Sequence, residues 1–406
     1  MADRFGRRRL FTIGLALFTL ASAACAASPG TGELIAARAI QGLGASIMFA
    51  VSLAVLAHAF PEPKERAGAL AAYGATIGAS FAIGPAVGGA LTSGLDWQWI
   101  FLVNIPIGLA CLWITRTQVV ESRDPRARRV DVPGQLTLAP GLLLLVLALL
   151  RGNEDGWGSA PIIAAFAAAA VLLGAFVVIE RRAAEPMLPL AFFRNPSFTG
   201  AQVAAFAISG SFFAVFLYTT LYLQQILGMT AIEAGLVYLP GTVLIFFVSG
   251  ATSALAERVS ARAMISTGLI LVSAGMVLMA TEAGTDSSWT DLLPGILVAS
   301  FGTGLFNPSV VAVALGSAPP NQSGLAAGVN DTARQAGIAV GVAALGALIP
   351  AGAALGGGDP QAYVSGMQDA LYVGAVLAAA GGIASALLIR GRAHAEVAGE
   401  LVPDAA

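Results

Sequence analysis

Charge is what this 406-residue sequence has least of: Asp, Glu, Lys and Arg make up 11% of it, against a hydrophobic share of 57%. A soluble globular domain carries about 25% charged residues, so that class is excluded. Lysine occurs once, at Lys64, histidine twice, at His58 and His394, and cysteine twice, at Cys25 and Cys111. Two cysteines in separate apolar runs offer neither a disulfide framework nor a metal cluster; such residues act as small packing groups. Both histidines lie outside the apolar runs, which removes them as intramembrane proton relays. The chain has no phosphate-binding loop, zinc-ligand spacing or nucleophile elbow. ATP hydrolysis and intramembrane proteolysis therefore have no residues to work with, and the sequence predicts no enzyme, bound cofactor or metal. A net charge of −2 identifies no partner, because charge here matters by location, and no nucleic-acid partner is expected.

What the sequence has instead is long apolar runs, of the length that crosses a bilayer as a helix. Twelve can be counted, with ends near Leu10 and Ser28, Glu33 and Ala57, Ala67 and Leu91, Trp99 and Thr115, Val132 and Leu150, Ala160 and Ile179, Ser197 and Leu223, Glu233 and Leu255, Ala263 and Ala280, Leu292 and Leu315, Leu325 and Pro350, and Met367 and Ile389. Unpaired backbone groups are excluded from lipid, and these runs are too long and evenly apolar for barrel strands. The expected class is an all-α integral membrane protein. If the amino terminus is cytoplasmic, 18 of the 21 basic residues fall in cytoplasmic segments, as retention of Lys and Arg on that side requires. Only Arg151 lies on the far side, and Arg38 and Arg334 lie within spans. Both termini are then cytoplasmic.

An internal repeat organises the spans. RAGALAAYG from Arg66 and QSGLAAGVN from Gln322 open the third and eleventh spans alike, with Gly68 256 positions before Gly324; Ala2-Asp3-Arg4 precedes Ala256-Glu257-Arg258 by 254. Two matches at nearly one offset predict a duplicated bundle, with four spans in the first copy, six in the second and two between.

Four segments then carry a resemblance. ADRFGRRR, through Asp3, Arg4, Gly6, Arg7 and Arg8, resembles the cytoplasmic loop between the second and third helices of the major facilitator transporters. Arg38, Gln41, Gly42 and Gly44 resemble their Arg-x-x-Gln-Gly segment. Gly78, Gly84, Pro85, Gly88 and Gly89 resemble the Gly-Pro-x-x-Gly-Gly segment of the antiporters, and DWQWIFLVNIPIG from Asp96 resembles a stretch of the drug exporters, with Gln98 where Arg is usual. The two interposed spans, with Arg334, Gln335 and Gly337, resemble the fourteen-helix drug/proton antiporter branch. On that resemblance the visible spans correspond to helices three to fourteen, and the first two helices are missing.

The resemblance implies a division into residues 1–116, the first bundle; 117–196, the inserted helices and linkers; 197–390, the six-helix bundle; and 391–406, a cytoplasmic tail. It implies a secondary transporter of the bacterial inner membrane, a monomer in lipid, exporting small lipophilic compounds by alternating access in exchange for protons. Asp3, Arg4, Gly6, Arg7 and Arg8 would form a cytoplasmic gate. The resemblance assigns Arg38 to proton coupling; an arginine inside an apolar run costs at least ~2.5 kcal/mol unless it is paired or faces a cavity, and its place five residues after Glu33 leaves snorkelling open as well. Asp331, Arg334 and Gln335 share a helical face; Asp331 and Arg334 either neutralise each other or join in coupling. Gln41, Gln335, Phe212 and Phe216 are candidate substrate contacts, although the aromatics of the seventh span can equally face lipid. Glu233 and Glu282 lie near span ends and are expected to be solvated. Two other readings stand beside export: a metabolite or sugar transporter of the same fold, and a non-transporting remnant.

Overall fold

The computed structural model describes residues 5–60, 87–123, 131–255, 258–319, 322–350 and 358–390, with isolated positions between 61 and 86. They form helices throughout. In chain order these are α1 (Arg7–Ala26), α2 (Thr31–Ala59), α3 (Trp99–Leu102), α4 (Asn104–Gln118), α5 (Val132–Asp155), α6 (Ala160–Arg182), α7 (Pro196–Ile208), α8 (Ala214–Leu221), α9 (Ala231–Val237), α10 (Leu239–Leu255), α11 (Ala261–Glu282), α12 (Trp289–Gly316), α13 (Ser323–Gly346) and α14 (Pro360–Leu388). Ten spans among the described residues are long and apolar enough to cross a membrane. Of the twelve expected, the third lies largely outside the described residues. The eleventh is α13, which is long enough but too polar to join the ten, because Asn330, Asp331, Arg334 and Gln335 occupy its middle.

Proline and capping residues explain most of the boundaries. Pro106 and Pro240 have no N–H to continue an i to i−4 ladder, and the helix breaks just before each, between α3 and α4 and between α9 and α10. Asp131, Asn195 and Asp359 each accept a backbone N–H at a helix start with proline at one of the first two positions, where its missing donor costs nothing. Ser288 and Asp291 form a reciprocal capping box on α12.

The chain divides into two compact units, Met1–Val130 with Thr230–Leu236, and Asp131–Met229 with Val237–Ala406. In the first, α1 packs along α2 and α4 packs on α1. Lipid removes the hydrophobic drive between helices, so they associate where small residues let backbones approach. A methyl group added at Gly44 would stand 2.6 Å from the backbone nitrogen of Phe18, and one at Gly14 would stand 3.0 Å from the carbonyl of Gly44. Cys25 is free and fully buried against Ala37 and Phe101.

In the second unit α5 and α6 pair as a hairpin, α11 packs between α12 and α14, and α5 lies against α13. The seventh span is not one regular helix. Between α7 and α8 lies a π turn, Ser209–Phe213, and a second, Tyr222–Ile226, follows α8. The Leu227 N–H reaching the Tyr222 carbonyl at 3.1 Å is the i to i−5 bond of the second.

Candidate functional site

Two polar groups in the first unit hold Gly6, Arg7, Arg8, Arg38 and Gln41 of the residues singled out by sequence. At the start of α1, Gly6 adopts φ of 104°, a conformation open to glycine. The turn brings the first amides of α1 onto Glu121, which follows α4: Arg8 N–H donates to Oε1 at 3.1 Å and Arg9 N–H to Oε2 at 3.2 Å. Arg7 N–H donates to the Ser122 carbonyl at 3.0 Å, and the Arg8 guanidinium to that of Val119 at 3.3 Å. The carboxylate that receives these amides is that of Glu121. Asp3 and Arg4 lie outside the described residues.

The second group is intramembrane. Arg38 donates from Nη1 to Gln41 Oε1 at 2.6 Å, one turn along α2, and Gln41 Nε2 donates to Ser22 Oγ on α1 at 2.7 Å. Ser22 in turn donates to the Phe18 carbonyl at 2.8 Å. The Arg38 guanidinium carbon stands 5.7 Å from the centre of the Phe101 ring, within cation–π range. Gln41 is 2% exposed while Arg38 is exposed at the surface of the unit. Among the described residues no carboxylate forms an ion pair with Arg38. Both ends of the Gln41 amide are occupied, by Arg38 and by Ser22.

The antiporter-like segment is described only in part: Gly78 and Pro85 lie outside the described residues. A side chain at Gly84 or Gly88 would meet nothing among them within 4 Å. Gly89 is the tight position, since a methyl group there would stand 2.6 Å from the Ile232 Cα.

In the second unit the polar face of α13 is the counterpart. Asn330 Nδ2 donates to Gln202 Oε1 on α7 at 3.2 Å, and both residues are buried. Asp331 and Arg334 are half-buried and one turn apart with no direct ion pair joining them; Gln335 is exposed. Gly337 and Gly341 continue this helix against the seventh span, where a methyl at Gly337 would stand 2.6 Å from the Phe206 carbonyl. Gly341 abuts Gly210 in the first π turn, a distortion often found at functional sites. The Tyr218 hydroxyl donates to the Val342 carbonyl and the Tyr363 hydroxyl to the Tyr218 carbonyl at 2.7 Å. Phe216 lies against Tyr238 with ring centres 4.2 Å apart, and Phe212 meets Phe213 edge-on at 5.8 Å. Both candidate phenylalanines are half-buried.

Glu121, Ser22, Gln202 and Asn330 were not singled out by sequence. Spacing carried one usable signal: Arg38 and Gln41 stand three apart and must share a helical face. The other partners join distant segments and leave no local trace.

The sequence profile described as Major Facilitator Superfamily matches residues 1–342. The chain is 36% identical over 351 residues to the "Multidrug resistance protein Stp" of Mycobacterium tuberculosis, covering 86% of this chain and 65% of that protein. It is 32% identical over 349 residues to the "Methylenomycin A resistance protein" of Streptomyces coelicolor, covering 86% and 73%. Among solved structures, an auto-inhibited peptide transporter of the POT family superposes with a TM-score of 0.66 at 15% identity, over 95% of this chain and 83% of that one. The human organic anion transporter MFSD10 (TETRAN) superposes with a TM-score of 0.60 at 17% identity, over 95% and 78%. These two establish likeness of fold.

Proposed function

Because the chain belongs to the Major Facilitator Superfamily, we propose that it is a secondary active transporter that exports small lipophilic compounds in exchange for protons, by alternating access. The observation that carries this reading is Arg38. It is a cation within an apolar span, fixed by Gln41 and Ser22, and no carboxylate among the described residues neutralises it. An arginine so placed lowers the pKa of any carboxylate that approaches and gives a proton-exchanging acid its counter-charge. The names of the relatives, multidrug resistance protein and methylenomycin A resistance protein, support a lipophilic drug as cargo. Phe212, Phe216, Gln335 and Asp331 are the residues assigned to cargo and coupling, with Arg334 beside them.

The same proposal places the chain in a bacterial inner membrane, as a monomer in lipid, with both termini cytoplasmic. Basic residues are concentrated on one set of alternate loops, and the exception, Arg151, is paired with Asp155 at 2.7 Å. The hairpin of α5 and α6, lying between the proposed six-helix bundle and the first unit in sequence, supports the fourteen-helix branch. Asp3, Arg4, Gly6, Arg7 and Arg8 would gate the cytoplasmic side, with Glu121 holding the start of α1 to the segment after α4.

Vesicles containing the protein test the proposal. A lipophilic cationic drug added to them should release protons, and Arg38→Gln should abolish the release while leaving the protein folded. Undiminished exchange in that variant would sink the role given to Arg38; no drug-dependent proton movement in the wild type would sink the coupling.

A further inference from the structure

The hairpin of α5 and α6 carries a pair of acidic side chains that the transport reading does not use. Asp131, at the start of α5, accepts the Gly134 N–H on Oδ1 at 2.8 Å and the Met187 N–H on Oδ2 at 3.4 Å. Glu180, in the last turn of α6, accepts the Leu188 N–H on Oε2 at 3.1 Å. The two carboxyl groups converge on Gly134. Gly134 makes the approach possible: a side chain there would collide with Asp131 and stand 3.0 Å from Glu180 Oε1.

Three of the four carboxyl oxygens have backbone donors. The fourth, Glu180 Oε1, has none among the described residues, although Glu180 is only 3% exposed. A buried carboxylate oxygen facing a second carboxylate is doubly unfavourable, through lost solvation and through like-charge repulsion, and one proton held between the two groups removes both costs. The groups that face the pair are the amides of Gly134, Met187 and Leu188. Arg181 and Arg182, on the same helix as Glu180, and Glu185 beyond it are exposed. Arg126, Arg128 and Arg129, in the segment before Asp131, lie outside the described residues.

We propose that Asp131 and Glu180 form a proton-binding site in which a single proton, shared between Asp131 and Glu180 Oε1, ties the start of α5 to the end of α6 and to the turn at Met187–Leu188. The site belongs to the hairpin alone and holds its proton whatever the chain carries. An arginine from the preceding segment would make the opposite arrangement, with both carboxylates ionised.

Infrared spectroscopy of the purified full chain at neutral pH distinguishes the two. The wild type should show a protonated-carboxyl C=O band that is lost in Glu180→Gln and lost or shifted in Asp131→Asn, a loss of one carboxyl proton per chain. A spectrum in which Glu180→Gln removes only ionised-carboxylate intensity overturns the proposal, and a band unmoved by Asp131→Asn overturns the sharing. Should either variant fail to fold, the wild type decides: a carbodiimide, which reacts with protonated carboxyl groups, should label Glu180 or Asp131 on peptide mapping, with labelling falling as the pH rises. No adduct on either residue at neutral pH overturns the site.

Discussion

Glu121 caps a helix whose Arg8 lies 113 residues before it: its carboxylate receives the backbone N–H groups of Arg8 and Arg9 at 3.1 and 3.2 Å. The first amides of a helix have no partner within it, and a carboxylate there also meets the positive end of the helix dipole. The start of α1 is thereby fastened to the segment that follows α4.

Removing that fastening has a graded cost. Glu121→Ala should lower stability by about 0.5–2 kcal/mol, the range for loss of a helix cap. Glu121→Gln should lower it less, since one oxygen remains to receive Arg8 while Arg9 loses its acceptor. Gly6→Ala should cost roughly 1–2 kcal/mol from its positive φ alone, with contact against the Glu121 carboxylate in addition. Thermal unfolding of the three variants in detergent checks the order.

Gln41 separates support from coupling. Gln41→Leu keeps the volume but leaves Arg38 without its acceptor and Ser22 without its donor, and should cost about 1–3 kcal/mol together with drug-dependent proton release. Gln41→Glu should stay close to wild-type stability, because the carboxylate holds Arg38 at least as firmly. It should nevertheless stop exchange, since Arg38 then has a permanent counter-charge. Melting temperature and vesicle proton release, measured on the same preparations, test the split. Equal exchange in Gln41→Glu and wild type would contradict it.

Asn153 ties the far end of the hairpin to α13. Its Nδ2 donates to the carbonyls of Ala347 and Ile349 at 2.7 and 3.3 Å, and its Oδ1 accepts the Trp157 indole N–H at 3.0 Å. Asn153→Ala should destabilise by about 1 kcal/mol, the net worth of such bonds. Asn153→Asp should do more damage than alanine, because it sets a negative charge against two carbonyl oxygens. The order of the melting temperatures checks this.

Composition made the membrane class and most of the spans readable, because lipid demands long apolar helices whatever their partners. The site was less readable, and the residues show why. Arg38 was conspicuous as a charge in an apolar run, yet the role of Gln41 depended on Ser22, which lies 19 residues away on another helix. Glu180 follows the sixth apolar run with no local signal of a role; only the fold brings Gly134 and Leu188 around it. The α13 helix was counted among the apolar runs from its ends, although its polar middle keeps it out of a stricter count. The third span itself, with Gly78 and Pro85, lies mainly outside the described residues.

The two π turns have a consequence for comparing this helix with any other. Each accommodates about one residue more than a regular α-helical turn, and one residue is worth about 100° of rotation. Side chains on α7 and on α8 therefore follow two phases, and Phe206 and Phe216 cannot be placed on a common helical wheel. Aligned with a relative that lacks either turn, the span should require a one-residue gap inside continuous helix. Deleting one residue between Ser209 and Phe213 would shift the whole aromatic set to a new face while leaving its composition almost unchanged.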